Sequence, residues 1–316
     1  MEKMSLRKAY GDALVEEGKA NKDIVVLEAD LGKSTMSCFF KDSYPERYFE
    51  MGIAEANMAS TSAGLALAGK IPFYSTFAVF AAGRAYDQIR CSIAIPRANV
   101  KICGSSCGLS DFGDGKTHQS IEDANIICAI PEMTVLNPCD AIETKKMMKA
   151  MVKYQGPVYI RINRNDLPVF TKPEGEYEIG KMYRIVEGRD VVIFATGAMV
   201  WNAVQAADLL KADGISAEVI NVSSLKPIKK AEILKYVAGK KAIVTADECT
   251  KIGGLGSAIA TQIIGEVNLP FEQIGVNDQF GTSAHSYEDL MVRYGLTPDD
   301  IAKAAKKALK KYYSYS

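Results

Sequence analysis

Short apolar runs alternating with longer helical stretches constrain this chain more than any other feature. Ile24-Val25-Val26-Leu27, Val100-Lys101-Ile102-Cys103 and Val158-Tyr159-Ile160-Arg161-Ile162 read as buried strands. Residues 54–68 read as a helix rich in Ala, Met and Leu, and residues 141–152 as an amphipathic helix. The alternation returns later, with strands at Val191-Val192-Ile193-Phe194, Ala217-Glu218-Val219-Ile220 and Ala242-Ile243-Val244-Thr245, and helices near 200–213 and 257–264. Strands buried on both faces need helices over them. The pattern therefore predicts an α/β chain whose sheets are largely parallel and flanked by helices. Ligands in such folds bind at the carboxyl ends of the strands, so chemistry is expected just after each apolar run.

At 316 residues the chain can build two domains with cores of their own. Pro, Gly and charge cluster in Thr171-Lys172-Pro173-Glu174-Gly175-Glu176 without an apolar period. This places a first domain at 1–172, a linker at 173–186 and a second domain at 187–316. Residues 299–311 read as a basic amphipathic helix, a solvated cap on the end. Lys plus Arg (38) balance Asp plus Glu (38), so no charge excess points to nucleic acid or an anionic membrane. Seven Cys without a C-x-x-C pair, and only two His, argue against a zinc site or a disulfide framework. They favour a reducing, cytoplasmic setting. No apolar run approaches the roughly 18 residues of a membrane span, and the first residues lack the apolar core of a signal peptide.

Several segments carry candidate chemistry. Met51-Gly52-Ile53-Ala54-Glu55-Ala56-Asn57-Met58 sets a lone carboxylate at the head of a helix of small and apolar residues. With Gly52 as N-cap, Glu55 falls at N3, where a carboxylate suits capping and the helix dipole. In the other reading its apolar neighbours desolvate it, which raises a carboxylate's pKa and lets it share a proton with a ring nitrogen. Tyr74-Ser75-Thr76-Phe77-Ala78-Val79-Phe80 is either a strand end whose aromatics fill the core or an aromatic shelf for a planar ring. Gly113-Asp114-Gly115-Lys116-Thr117-His118-Gln119 puts an Asp and a His on a Gly-rich loop. His118 is a surface residue or a proton-transfer group, since imidazole titrates near neutrality. Gly253-Gly254-Leu255-Gly256-Ser257 can form an anion site, but Ile259 breaks G-x-G-x-x-G, and close strand-to-helix packing accounts for these glycines better. His285 reads as a structural or interface residue. Cys103, Cys107, Cys128 and Cys139 read as small core or loop residues, because no His lies near enough in sequence to suggest a dyad.

The Gly-Ile-Ala-Glu, Ser-Thr-Phe-x-x-Phe and Asp-Gly-x-Thr-His-Gln strings together resemble the transketolase family, thiamine diphosphate enzymes that move two-carbon ketol units between sugar phosphates. Residues 1 to about 172 are similar to the pyrimidine-binding domain of that family and the remainder to its C-terminal domain. The resemblance implies that Glu55 bonds the aminopyrimidine ring and promotes the imino tautomer that removes the thiazolium C2 proton. It implies Phe77 and Phe80 as pocket residues, with Phe80 the stacking partner, and Asp114 and His118 as contacts to substrate hydroxyl and carbonyl groups. Arg7, Ser34 and Arg164 match the family's phosphate-binding set, and guanidinium groups suit that task. A GDG followed at a distance by Asn, here Asn137, is also the diphosphate and metal motif of thiamine enzymes. The adjoining Thr117-His118-Gln119 assigns this loop to substrate instead.

Two departures stand out: Gly83 where the family often has Tyr, and Ser106 where many members have a further His. The resemblance further implies a split enzyme. The diphosphate-binding domain, with its Mg²⁺ or Ca²⁺, is expected on a separate polypeptide, and no metal site is expected here. The chain would be inactive alone, work in a two-plus-two heterotetramer, and also dimerise with itself. Arg84-Ala85-Tyr86-Asp87-Gln88 is similar instead to deoxyxylulose-phosphate synthase. That enzyme, the β subunit of a 2-oxoacid dehydrogenase and a non-catalytic homologue remain the alternatives.

Overall fold

A computed structural model describes residues 1–315. The first sheet has seven strands in the order Ser224–Lys226, Thr134–Leu136, Val158–Ile162, Lys101–Ser105, Ile71–Phe77, Ile24–Glu28, Tyr48–Glu50. All run parallel except Ser224–Lys226, which is antiparallel to Thr134–Leu136. The second sheet orders Phe271–Val276, Ala242–Thr250, Val191–Ala195, Ala217–Asn221, Tyr183–Val186, parallel but for the last. Side chains alternate across a strand, and here each face feeds a separate core. Ile24 and Val26 pack with Leu6, Tyr10 and Leu14, whereas Val25 and Leu27 pack with Met58, Ala59 and Ala63. Helices therefore cover both faces, and the expected α/β architecture of largely parallel, helix-flanked sheets is met.

Three details differ from the sequence reading. Tyr183–Val186, inside the segment 173–186 read as a linker, is the edge strand of the second sheet. Ser224–Lys226, well within the second domain's sequence, extends the first sheet, so the two domains share a seam. The Pro298–Tyr315 helix is not a solvated cap. Ile301, Ala305, Ala308 and Leu309 are buried, and the helix lies against the Met199–Ala212 helix and strands Ala242–Thr250 and Phe271–Val276. Burying Ile301 and Leu309 contributes roughly 2 kcal/mol each. Only its basic face looks outward, where Lys307 and Lys311 meet Glu272.

Glycines at the second domain's strand-to-helix turn are required by close packing. A Cβ on Gly254 would lie 2.5 Å from the Thr250 carbonyl oxygen, and one on Gly256 2.7 Å from the Gln273 and Thr245 side chains. All seven cysteines are free, and burial pushes the thiols of Cys103, Cys107 and Cys139 upward, away from nucleophilic use. Among the described residues, no helix is long and apolar enough to cross a membrane.

Candidate active site

The candidate residues gather at the carboxyl ends of the first sheet. At the head of the Glu55–Leu67 helix, Gly52 takes φ +69° and the Ala54 N–H reaches the Gly52 carbonyl at 2.7 Å. The helix then begins at Glu55, with Ala54 in the capping position and no side-chain cap. Glu55 therefore stands at N1, not N3, because a tight glycine turn replaces the cap. Its side chain is free for another partner: it is 3% exposed, and its Oε1 accepts from Arg84 Nη1 at 3.1 Å. The Arg84 guanidinium carbon in turn lies 4.1 Å from the Phe80 ring centroid.

Phe80 and Phe77 stack at 6.1 Å with 19° between planes. His118 presents its edge to both, at 6.2 Å from Phe77 and 5.5 Å from Phe80. Phe77 is buried and Phe80 half-buried, so one ring fills core while the other forms part of a shelf. Carboxylate, aromatic pair and imidazole thus form one continuous run of contacts.

The basic residues arrive by a different device. Strand Lys3–Ser5 pairs antiparallel with Asp166–Pro168, setting Ser5 opposite Asp166. Ser5 then caps the Leu6–Ala20 helix, its Oγ accepting from the Lys8 N–H at 3.2 Å. This pairing delivers Arg7, in the first helical turn, to the neighbourhood of Arg164. Arg7 Nη1 donates to the Ser34 carbonyl at 2.9 Å, while its Nε is buried without a partner. Burial, and then the nearby Arg164 charge, hold the Arg7 guanidinium below its ordinary range. Arg164 Nη1 donates to Asp111 at 3.0 Å and to Ser106 Oγ at 3.5 Å. Two neighbouring guanidinium groups, one with an orphaned N–H, suit an anion.

Ser34 belongs to a turn anchored from below. Glu28, fully buried, accepts from Thr35 Oγ1 at 2.8 Å, Ser37 Oγ at 2.5 Å and the Ala29 N–H at 3.1 Å. Burial pushes its carboxyl up to about 7 against the pull of these donors.

On the substrate-type loop, Gly115 takes φ +74° and opens a short 3₁₀ turn over Gly115–Thr117. Asp114 is exposed and His118 half-buried, with Thr117 Oγ1 3.0 Å from His118 Nδ1. Asn137 is buried and donates to Thr196 Oγ1 at 3.1 Å, joining the two domains. Among the described residues, no group of three or more His, Cys, Asp or Glu side chains could hold a metal ion.

Two partners escaped the sequence reading. Arg84 lies four residues after Phe80, a spacing that shares a helix face, and this was a usable signal for its place over that ring. Asp111 sits in the apolar stretch Leu109-Ser110-Asp111-Phe112, where a buried carboxylate demands a cation. Burial raises its carboxyl, and Arg164 opposes that rise.

The family models described as "Transketolase, pyrimidine binding domain" and "Transketolase, C-terminal domain" match residues 2–169 and 180–301. A split-gene transketolase solved as an inactive beta4 tetramer has a TM-score of 0.89 to this chain at 44% identity, covering 98% of this chain and 99% of that one. The 6-deoxy-6-sulfo-D-fructose transketolase subunit SqwH of Clostridium sp. (strain MSTE9) is 38% identical over 98% of this chain and 96% of its own length. An apulose-4-phosphate transketolase subunit of Phocaeicola vulgatus is 36% identical over 98% of each. The transketolase of Homo sapiens is 33% identical over 98% of this chain but only 50% of its own length. With both domain models in order and several relatives, among them proteins named as separate subunits, matched over nearly their whole length, this chain belongs to the transketolase family.

Proposed function

We propose that this chain is the C-terminal subunit of a thiamine-diphosphate-dependent transketolase. It moves a two-carbon ketol unit from a ketose phosphate to an aldose phosphate, and only together with a separate diphosphate-binding subunit. The observation that carries this reading is the contact run from Glu55 through Arg84 and Phe80 to His118 at the carboxyl end of the first sheet. A nearly buried carboxylate, a shelf and a proton-transfer group are what the pyrimidine half of the cofactor and its substrate need. These residues fit that half of the group.

When bound, thiamine diphosphate supplies the carbanion chemistry of ketol transfer. Glu55 holds a proton with the aminopyrimidine nitrogen, and Arg84 balances its charge. Phe80 orients the ring by stacking, with Phe77 behind it. His118 takes and returns a proton at the substrate oxygen. Asp114 contacts sugar hydroxyls. Arg7, Ser34 and Arg164 hold the phosphate, with Asp111 fixing the Arg164 guanidinium. The cofactor diphosphate and its Mg²⁺ or Ca²⁺ belong to the partner subunit. Two such pairs assemble as a heterotetramer in a reducing cytoplasm, where free thiols persist. Relatives named as subunits, and one solved as an inactive tetramer of a single chain, support both partner dependence and self-association. Those relatives are named for a sulfonated and a phosphorylated sugar, and paired guanidinium groups accept either anion.

The test is a ketol-transfer assay with xylulose 5-phosphate, ribose 5-phosphate, thiamine diphosphate and Mg²⁺, run on this chain alone and with the diphosphate-binding subunit from the same source. Activity in the mixture alone is expected. Activity from the lone chain would overturn partner dependence. Silence with sugars, but condensation of pyruvate with glyceraldehyde phosphate, would move the assignment to a deoxyxylulose-phosphate-synthase-like enzyme.

A further inference from the structure

The second domain sends one carboxylate into the first. Glu248, 4% exposed, lies on strand Ala242–Thr250, and its Oε1 accepts from the Leu109 N–H at 2.8 Å across 139 residues of chain. Its Oε2 accepts from Asn163 Nδ2 at 3.4 Å, and the same Nδ2 donates to the Tyr287 hydroxyl at 3.2 Å, which brings Tyr287 beside the carboxylate. Leu109 opens the loop that carries Asp111, Asp114 and His118. Asn163 immediately precedes Arg164. One side chain thus grips both segments that carry substrate-facing groups, and those segments meet again at the Asp111–Arg164 pair.

The fit leaves no slack. Gly108 takes φ +61°, and a Cβ there would lie 2.5 Å from the Glu248 carboxyl carbon. The far end of the loop is held by the same domain, with Gln119 Nε2 donating to the Thr282 carbonyl at 3.0 Å and the Ala284 N–H to the Phe112 carbonyl at 2.9 Å.

We propose that Glu248 is a positioning residue for the reaction, fixing the His118 loop relative to Arg164 so that the second domain sets the geometry of the substrate side of the site. The inference rests on the transketolase reading for its catalytic consequence but not for the clamp itself. Small misplacements of positioned groups cost rate steeply, and loss of one arm opens a loop locally before it unfolds a domain.

The experiment compares wild type, Glu248→Gln and Glu248→Ala. In the lone chain, hydrogen exchange of amides 109–119 should speed up about 10-fold in Glu248→Ala, while amides of the Glu55–Leu67 helix keep their protection. In the complex with the diphosphate-binding subunit, kcat/KM for the ketose phosphate should fall about 30-fold with the affinity for thiamine diphosphate unchanged. Glu248→Gln keeps an acceptor for Leu109 but turns a donor toward Asn163 Nδ2, so it should recover only part of both losses. It also carries the test if the Ala variant does not fold, with a smaller rise confined to amides 109–119. Unchanged loop exchange, or equal acceleration in the Glu55–Leu67 helix, overturns the proposal. A wild-type complex without ketol transfer would sink the functional reading instead, and the exchange comparison would still decide the clamp.

Discussion

The two sides of the site are built in opposite ways. The Glu55 side is assembled within one stretch of chain: Glu55 and Arg84 lie 29 residues apart, and Phe77 and Phe80 stand between them. The His118 side takes its shape from far away, through a bond that spans 139 residues to Glu248 and another that spans 163 to Thr282. A locally assembled half-site depends on its own helix and strand. A remotely assembled one depends on how two domains dock. Changes on the first side should therefore alter chemistry without moving the loop, and changes at the seam should do the reverse.

Glu55→Gln gives the sharpest contrast and the largest effect. The amide keeps the shape but cannot accept the proton, so kcat in the complex should fall by roughly 10³-fold. Arg84 is half exposed, so losing its charge partner should cost no more than about 1 kcal/mol of stability. Exchange of amides 109–119 should not change. If it does, the two sides are coupled and the comparison breaks.

Glu28→Gln comes next. Burial holds Glu28 at about 7 against an ordinary value of 4.5, so between those values the folded chain keeps a proton that the unfolded chain has released. Stability from this group is present below pH 4.5, declines as pH rises toward 7 and is gone above it. The loss reaches up to about 3 kcal/mol. In Glu28→Gln the loss disappears because an amide does not ionise, and Thr35 and Ser37 can turn their hydroxyls to accept from it. Denaturant titrations of both proteins at pH 5 and pH 8 measure it. The gap between variant and wild type should shift in favour of the variant at pH 8, and an equal gap at both values would refute the assignment. Because Glu28 braces the Ser34 turn from within the first domain, exchange at 109–119 should again stay constant.

Arg164→Lys tests the meeting point. Lysine keeps the charge but not the planar guanidinium, whose Nη1 alone serves Asp111 and Ser106 and leaves the rest of the fork to face an anion. KM for the ketose phosphate should rise about 10-fold with kcat within about threefold. A fall in kcat alone would place Arg164 on the chemical side rather than the binding side.

The same contrast explains what could be read from sequence. Strands such as Ile24–Glu28 and Val191–Ala195 are buried at every position, so their apolar runs were unambiguous. Glu55, Phe80 and His118 sat in strings short enough to recognise. The helix over 54–68 is legible to within a residue, but its cap is not, because the positive φ of Gly52 makes a turn, a property that glycine permits but does not announce. The terminal helix reads as solvated because its Lys residues are counted easily, while the stripe from Ile301 to Leu309 finds its partner only in the fold. Glu248 left no local signal at all. A charged residue in a strand is ordinary until the domain that buries it is in place.

The smallest prediction probes how far the remote side extends. Ser286 caps the Tyr287–Arg293 helix in a capping box, with Ser286 Oγ and the Asp289 N–H at 3.1 Å and the reciprocal bond at 3.1 Å. Tyr287 is the first residue of that helix, and its hydroxyl accepts from Asn163 Nδ2 at 3.2 Å. The cap thus stands directly behind a hydroxyl that shares the Asn163 amide with Glu248. Ser286→Ala should cost about 1 kcal/mol and lower the melting temperature by about 2 °C. If the helix head is part of the clamp, exchange at amides 109–119 should rise about twofold while the Glu55–Leu67 helix is untouched, and Ser286→Asp, a competent cap, should restore both readings. A lower melting temperature with unchanged loop exchange would confine the clamp to Glu248, Leu109 and Asn163. The remote side would then rest on the Glu248 carboxylate and on the Gln119–Thr282 and Ala284–Phe112 bonds, without the Tyr287 helix.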